Sequence, residues 1–219
     1  VTALTQAIDQ ALARLEPVRL FARKTTAGFA HNRRRRGVVA GTPSPEDVVD
    51  HDVPVLDCVD ASGNRKAIVF GYACHCTTVG FNKHHGDWAG CAQEYMEKEF
   101  PGAIALTAIG CGADQNPNPR NTYEHAIEYG NALGAEAKRL AGGTLKPLAG
   151  KLECRTKQIS LPFDTLPTRA EWEAKAKDKS ANVAYHAKVQ LAKLARGEKL
   201  PTELPYLVQV WNFGRELAI

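Results

Sequence analysis

The sequence has a single methionine, Met96, and does not begin with it. It lacks any run near the ~20 apolar residues that span a bilayer as a helix. Its first residues repeat in a helical pattern instead of setting a basic end before an apolar stretch. Neither an anchor nor a leader peptide is expected in it, and an internal piece of a longer chain is. Charge of one sign is also scarce. The 28 Lys and Arg against 24 Asp and Glu leave a formal +4, well short of the dense basic stripe of a nucleic-acid binder. The six cysteines, Cys58, Cys74, Cys76, Cys91, Cys111 and Cys154, are too few to staple 219 residues, and none forms a CxxC pair. That excludes a disulfide mini-scaffold and a zinc ribbon. What remains, 44% hydrophobic and 24% charged, is the composition of a globular domain with one sizeable core.

Periodicity predicts the elements. Leu4, Ile8, Ala11, Leu12 and Leu15 share one helical face over residues 2–16, and Pro17 ends it. A strand over 18–23 precedes a long loop, 25–52, rich in Gly, Pro, Asp and Arg, which holds His31, Asn32 and four arginines, Arg33, Arg34, Arg35 and Arg36. Strands at 53–59 and 65–76 flank a turn-forming cluster and read as a hairpin whose second strand ends at His75. A helix opening at Asp87, with Trp88, Ala92, Tyr95 and Met96 on one face, leads to a strand at 103–109. Beyond a Gly/Pro/Asn loop at 110–120, a helix over 123–140 turns Ala126, Ile127, Gly130, Leu133 and Ala137 inward and stops at Gly142-Gly143. A strand at 151–161, a polar helical hairpin at 168–198 and a strand at 206–213 follow. The fold class expected is α/β, a mixed sheet with a strand-helix-strand crossover and flanking helices. The two parallel strands should end at the same sheet edge.

Ligands of such sheets bind beyond the carboxyl ends of strands. Two strand ends bring residues 74–78 and 110–117 to one edge, and the connection adds His84, His85 and Asp87. Strand alternation places Cys74 and Cys76 opposite His75, so a Cys-His-Cys chelate is not expected while the strand stays regular. His75 is either a metal ligand or a hydrogen-bonded core histidine. Asp87 reads as a helix cap, with support of a metal shell or substrate contact as the alternative. Asp114 and Asn116 precede Pro117 as turn formers do. Gly110 and Gly112 bring backbone N–H groups that suit an oxyanion. The arginine run is a solvated patch or a seat for an anionic head group or carboxylate.

Three strings, Ala-Cys-His-Cys-Thr-Thr at 73–78, His-Gly-Asp-Trp-Ala-Gly at 85–90 and Gly-Ala-Asp-Gln-Asn-Pro-Asn at 112–118, come in one order and spacing. With the Leu15-Glu16-Pro17 junction and His31-Asn32-Arg33, they resemble the amino-terminal domain of the neutral/alkaline ceramidase family. The resemblance implies a zinc-dependent hydrolase that splits an amide-linked lipid such as ceramide into sphingoid base and fatty acid. It implies His75 as a zinc ligand, with a second His, a Glu and a Tyr outside this chain, so that residues 1–219 form a partial catalytic domain, inactive alone. It further implies Gly112, Asp114 and Asn116 in the catalytic loop, and Asn32, Arg33 and Asp87 toward substrate. At Asn116 the family's characterised members carry serine, which shifts the expectation from ceramide toward lipid-like amides at large. Secretion or a periplasmic location, a lipid-like amide as partner, peripheral membrane contact and no nucleic acid complete the expectation. A cysteine-dependent acyl hydrolase, with Cys111 or Cys76 as nucleophile and His84 or His85 as base, is one alternative. A non-catalytic lipid- or carbohydrate-binding relative is the other.

Overall fold

The computed structural model describes residues 2–34, 48–141, 143, 147–214 and 217–218. The chain divides into two compact units, Val1–Ala149 and Gly150–Ile219.

The first unit opens with helix α1 (Thr2–Ala13), and continues through β1 (Arg19–Thr26), β2 (Ala30–Asn32), β3 (Asp52–Val59) and β4 (Arg65–Tyr72). It then runs through α2 (Asp87–Glu99), β5 (Ile104–Ile109), β6 (Gln115–Pro117) and α3 (Tyr123–Ala141). Four strands make a sheet in the order β1-β3-β4-β5, antiparallel except for the β4–β5 pair, which α2 connects in parallel. This is the mixed α/β sheet and crossover that the periodicity predicts. Alternation buries Val53, Val55, Asp57 and Val59 on β3, and Ile68, Phe70 and Tyr72 on β4. Trp88, Ala92 and Met96, four residues apart on α2, are fully buried against them. Leu133 and Ala137 of α3 complete the cluster.

Helices α2 and α3 approach closely because α3 carries glycine at the contact. A Cβ on Gly130 would lie 2.4 Å from Cys91 Cβ and 2.7 Å from the Trp88 carbonyl oxygen. The buried Asp57 carboxylate is held by Arg65 Nε at 3.1 Å and Arg23 Nη2 at 3.9 Å. Arg65 also donates to the Ala141 carbonyl and lies 4.3 Å over the Phe100 ring centroid. Pairing of this kind is what makes a charge tolerable in a core.

Several expectations change. The second hairpin strand ends at Tyr72, three residues before His75. The stretch expected as loop contains β2, and Ile127 is 39% exposed on the outer side of α3. Helix α1 forms, yet none of its side chains is buried. Arg35, Arg36 and Gly142 lie outside the described residues.

The second unit is a long antiparallel pair, β7 (Leu152–Pro162) with β8 (Glu203–Phe213), extended by β9 (Leu217–Ala218). Between β7 and β8 stand α4 (Arg169–Lys175) and α5 (Ala181–Ala195), the expected helical hairpin. Thr168 and Glu171 form a reciprocal capping box at the start of α4. The indole of Trp172 packs edge-on against His186.

Candidate active site

The parallel register of β4 and β5 sets Tyr72 beside Ile109, so the chain leaves both strands at one edge. There the two departing segments are laced together. Gly110 N–H donates to the Tyr72 carbonyl at 3.1 Å, and His75 N–H donates to the Gln115 carbonyl at 2.9 Å. Only glycine fits at position 112, where a Cβ would stand 2.7 Å from Cys74 N. A third segment joins them, since β2 pairs antiparallel with β6 and sets His31 opposite Asn116.

An aromatic cluster in the core fixes that third segment. Phe29 stacks on Tyr129 with centroids 4.5 Å apart and meets Tyr72 edge-on at 4.7 Å. The Tyr72 hydroxyl donates to the Ala27 carbonyl and accepts from Ala30 N–H. Tyr129 donates to the Pro119 carbonyl at 2.7 Å, and Asn118 N–H donates to the Phe29 carbonyl. Burial pushes the Tyr129 phenol up to about 12 and the Tyr72 phenol higher still, so both remain protonated donors.

Beside these segments opens a cavity of about 600 Å³. Arg33, Arg34 and Arg120 line it together with the carboxamides of Asn116, Asn118 and Asn121. The buried His31 also contributes to its wall. Arg33 joins this cavity to His75. Its Nη2 lies 3.0 Å from the Ala113 carbonyl and 3.1 Å from His75 Nε2. Guanidinium only donates, so the His75 Nε2 lone pair is the acceptor here. The 3.3 Å approach of Nε2 to the same carbonyl is then a contact without a proton between.

The site residues expected from sequence fall into three groups. Arg33 and Asn116 line the cavity, Asn116 receiving a long hydrogen bond from the Thr77 hydroxyl at 3.4 Å, and His75 touches Arg33. Asn32 and Asp114 hold each other, Nδ2 to Oδ2 at 2.9 Å, while Arg33 N–H donates to the Asp114 carbonyl. They fasten β2 to the loop before β6. Gly112 and Asp87 serve the backbone. The N–H groups of Gly112 and Gly110 are already bonded to the carbonyls of Gly110 and Tyr72, so neither is available to an oxyanion. Asp87 is 2% exposed, and its carboxylate accepts from Trp88 N–H at 2.8 Å and Val79 N–H at 3.0 Å. Its φ of 55° lies in the left-handed region, which aspartate tolerates, and the cap position belongs to Gly86. Asn118 closes the loop expected to line the pocket, whereas Arg120 and Asn121 were not expected from sequence. Their turn-like composition, Asn-Pro-Asn-Pro-Arg-Asn over 116–121, carries no periodic signal.

Cys74 and Cys76 are poorly placed for nucleophilic work, while Cys111, the other candidate, is exposed. Burial, with a smaller contribution from Asp87, pushes Cys76 up to about 11, and burial pushes Cys74 up further. Among the described residues neither His84 nor His85 hydrogen-bonds a thiol; His85 Nδ1 lies 3.1 Å from Asp87 N–H. Nor do three His, Cys, Asp or Glu side chains gather as a metal site among the described residues. His75 supplies one imidazole, with a guanidinium against its lone pair. These residues do not by themselves fit a zinc centre.

No family model matches the chain. Among curated proteins it is similar to the neutral ceramidase of Pseudomonas aeruginosa, 27% identical over 191 residues, which covers 78% of this chain and 28% of that protein. Among solved structures it is similar to neutral ceramidase from Pseudomonas aeruginosa, with a TM-score of 0.63 at 20% identity over 95% of this chain and 40% of the other. A ceramidase complexed with C2 gives a TM-score of 0.63 at 19% identity, over 94% of this chain and 42% of that one. The chain thus spans less than half the length of these relatives. At these identities the structures establish a shared fold, and the sequence match establishes distant homology to neutral ceramidase.

Proposed function

We propose, from this distant homology, that the chain carries the substrate-facing part of an amide hydrolase acting on a lipid-like amide. The observation that supports it most is Arg33, which lines the cavity and holds the imidazole of His75 at the edge where β4 and β5 end. Hydrolysis adds water across the C–N bond and develops negative charge on the acyl oxygen. A guanidinium fixed by the Ala113 carbonyl is preorganised to stabilise that charge. The Asn116 carboxamide can donate to the same oxygen, whereas a side chain without an ionisable proton is no nucleophile. Asn32 and Asp114 act by position, keeping the Arg33 backbone in register with the β6 loop. Zinc dependence belongs to this proposal. His75 would be one ligand only once Arg33 leaves its Nε2, the others would come from outside the described residues, and the metal would supply an activated water.

The test is an assay of the full-length protein on N-acyl amides of defined chain length, ceramide among them, with metal content measured on the same preparation. Release of fatty acid that stops on chelation and returns with zinc supports the reading. Activity that survives chelation removes zinc from it, and absence of amide cleavage removes the hydrolase.

A further inference from the structure

The cavity beside β2 and β6 has the wrong walls for a neutral, two-chain lipid. A hydrocarbon chain gains its affinity from apolar surface removed from water. Here three guanidinium groups and three carboxamides converge, and Pro119 is the aliphatic side chain among the lining residues. Among the described residues no Asp or Glu lines it. The Asp114 carboxylate of the β6 loop is bonded to Asn32 Nδ2, and Arg120 makes no ion pair among the described residues. Its volume of about 600 Å³ exceeds what a bare ion fills. At roughly 30 Å³ per water-sized group it holds on the order of 20 such groups.

We propose that this cavity binds an anionic group, a carboxylate, carried by the substrate itself. The amide cleaved is then an N-acylated amino acid, split by water into a fatty acid and a free amino acid, in place of a neutral N-acyl sphingoid base. This rests on the hydrolase reading above and names its substrate class. Arg33 stays with the acyl oxygen, and Arg34 and Arg120 meet the carboxylate. Planar guanidinium forks match a carboxylate in two parallel hydrogen bonds, and the carboxamides of Asn118 and Asn121 complete its remaining lone pairs.

The experiment compares three substrates with one acyl chain, N-dodecanoylglycine, N-dodecanoylethanolamine and its phosphate ester, on the full-length protein and its Arg120→Gln and Arg120→Lys variants. Binding of each is followed in parallel by calorimetry. Expected is a kcat/KM for the glycine conjugate about 10- to 100-fold above that for the neutral ethanolamide, the range of a charge-assisted hydrogen bond. Arg120→Gln should erase most of that advantage by raising KM for the glycine conjugate alone, and Arg120→Lys should restore part of it. Arg120 is exposed, so unfolding temperatures should agree among the three proteins. Equal turnover of glycine conjugate and ethanolamide, unmoved by Arg120→Gln, overturns the anion pocket and leaves the hydrolase standing. Arg120-dependent binding of the glycine conjugate without cleavage of any amide does the reverse. A preference for the phosphate ester overturns the carboxylate assignment.

Discussion

The two units of this chain hold their strands in place by different means. In the first, β3 and β4 alternate buried and open positions over a core that α2 and α3 cover. In the second, β7 and β8 are matched over eleven register pairs, yet no side chain of β7 is buried and only Phe213 of β8 is. Leu207 is 64% exposed and Tyr206 51%. Backbone pairing orders the second unit, and side-chain burial stabilises the first. Since a hairpin without an apolar face covered is marginal in water, the second unit should open well before the first.

The largest effects should come from breaking the first unit. Trp88→Ala removes a fully buried indole against Phe29 and Tyr72 and should cost about 3–5 kcal/mol, read from denaturant unfolding. If the second unit is independently ordered, a probe at Trp211 should report an unchanged transition. Next, Asp57→Ala strands Arg65 and Arg23 in the core and should cost about 3 kcal/mol. A loss below about 1 kcal/mol would place those guanidinium groups in solvent instead. A smaller step, Tyr129→Phe, deletes the hydrogen bond to the Pro119 carbonyl at a cost of about 1–2 kcal/mol. It should weaken ligand binding in the cavity more than it lowers the melting temperature.

In the second unit, Thr168→Ala removes the capping box and should cost about 1 kcal/mol, seen as faster proteolysis within α4 while the first unit's unfolding stays put. The smallest effect concerns pH. The Thr168 backbone N–H, followed by its hydroxyl, holds the Glu171 carboxyl below its ordinary value. A carboxyl depressed in the folded state contributes stability above its unfolded pKa and loses it as pH falls through the lower folded value. Proteolysis of α4 should therefore accelerate in acid, below the ordinary glutamate range, and Glu171→Gln should remove that dependence.

The first unit's sheet and helices were legible because each announces itself by period. Trp88, Ala92 and Met96 recur at helical spacing, and Val53 and Val55 alternate. The site was legible only in part. His75, Arg33 and Asn116 stood out by residue type, but β2 and β6 are three residues each, too short for alternation to register. Their pairing depends on Phe29 and Tyr129, a hundred residues apart in sequence and stacked in space. The end of β4 was misplaced because Ala73 and Cys74 continue its apolar composition past Tyr72, although Cys74 N–H already turns back to the Tyr72 carbonyl. Gly112 was read for its backbone N–H and Asp87 as a helix cap or a substrate contact, because close packing and a left-handed backbone call for the same residue types.

Aromatic anchoring also governs how the cavity's rim exchanges with solvent. Irregular segments ordinarily give up their amide protons through small local openings. Here the Ala30 amide is bonded to the Tyr72 hydroxyl, and the Asn118 amide to the carbonyl of Phe29, whose ring lies in the stack. Freeing either proton requires separating rings packed with Trp88. Those two loop amides should therefore exchange with deuterium as slowly as the amides of the central strands. The wall at Ala30 and Asn118 should then breathe no faster than the sheet, so ligands meet a side of the cavity that is already set.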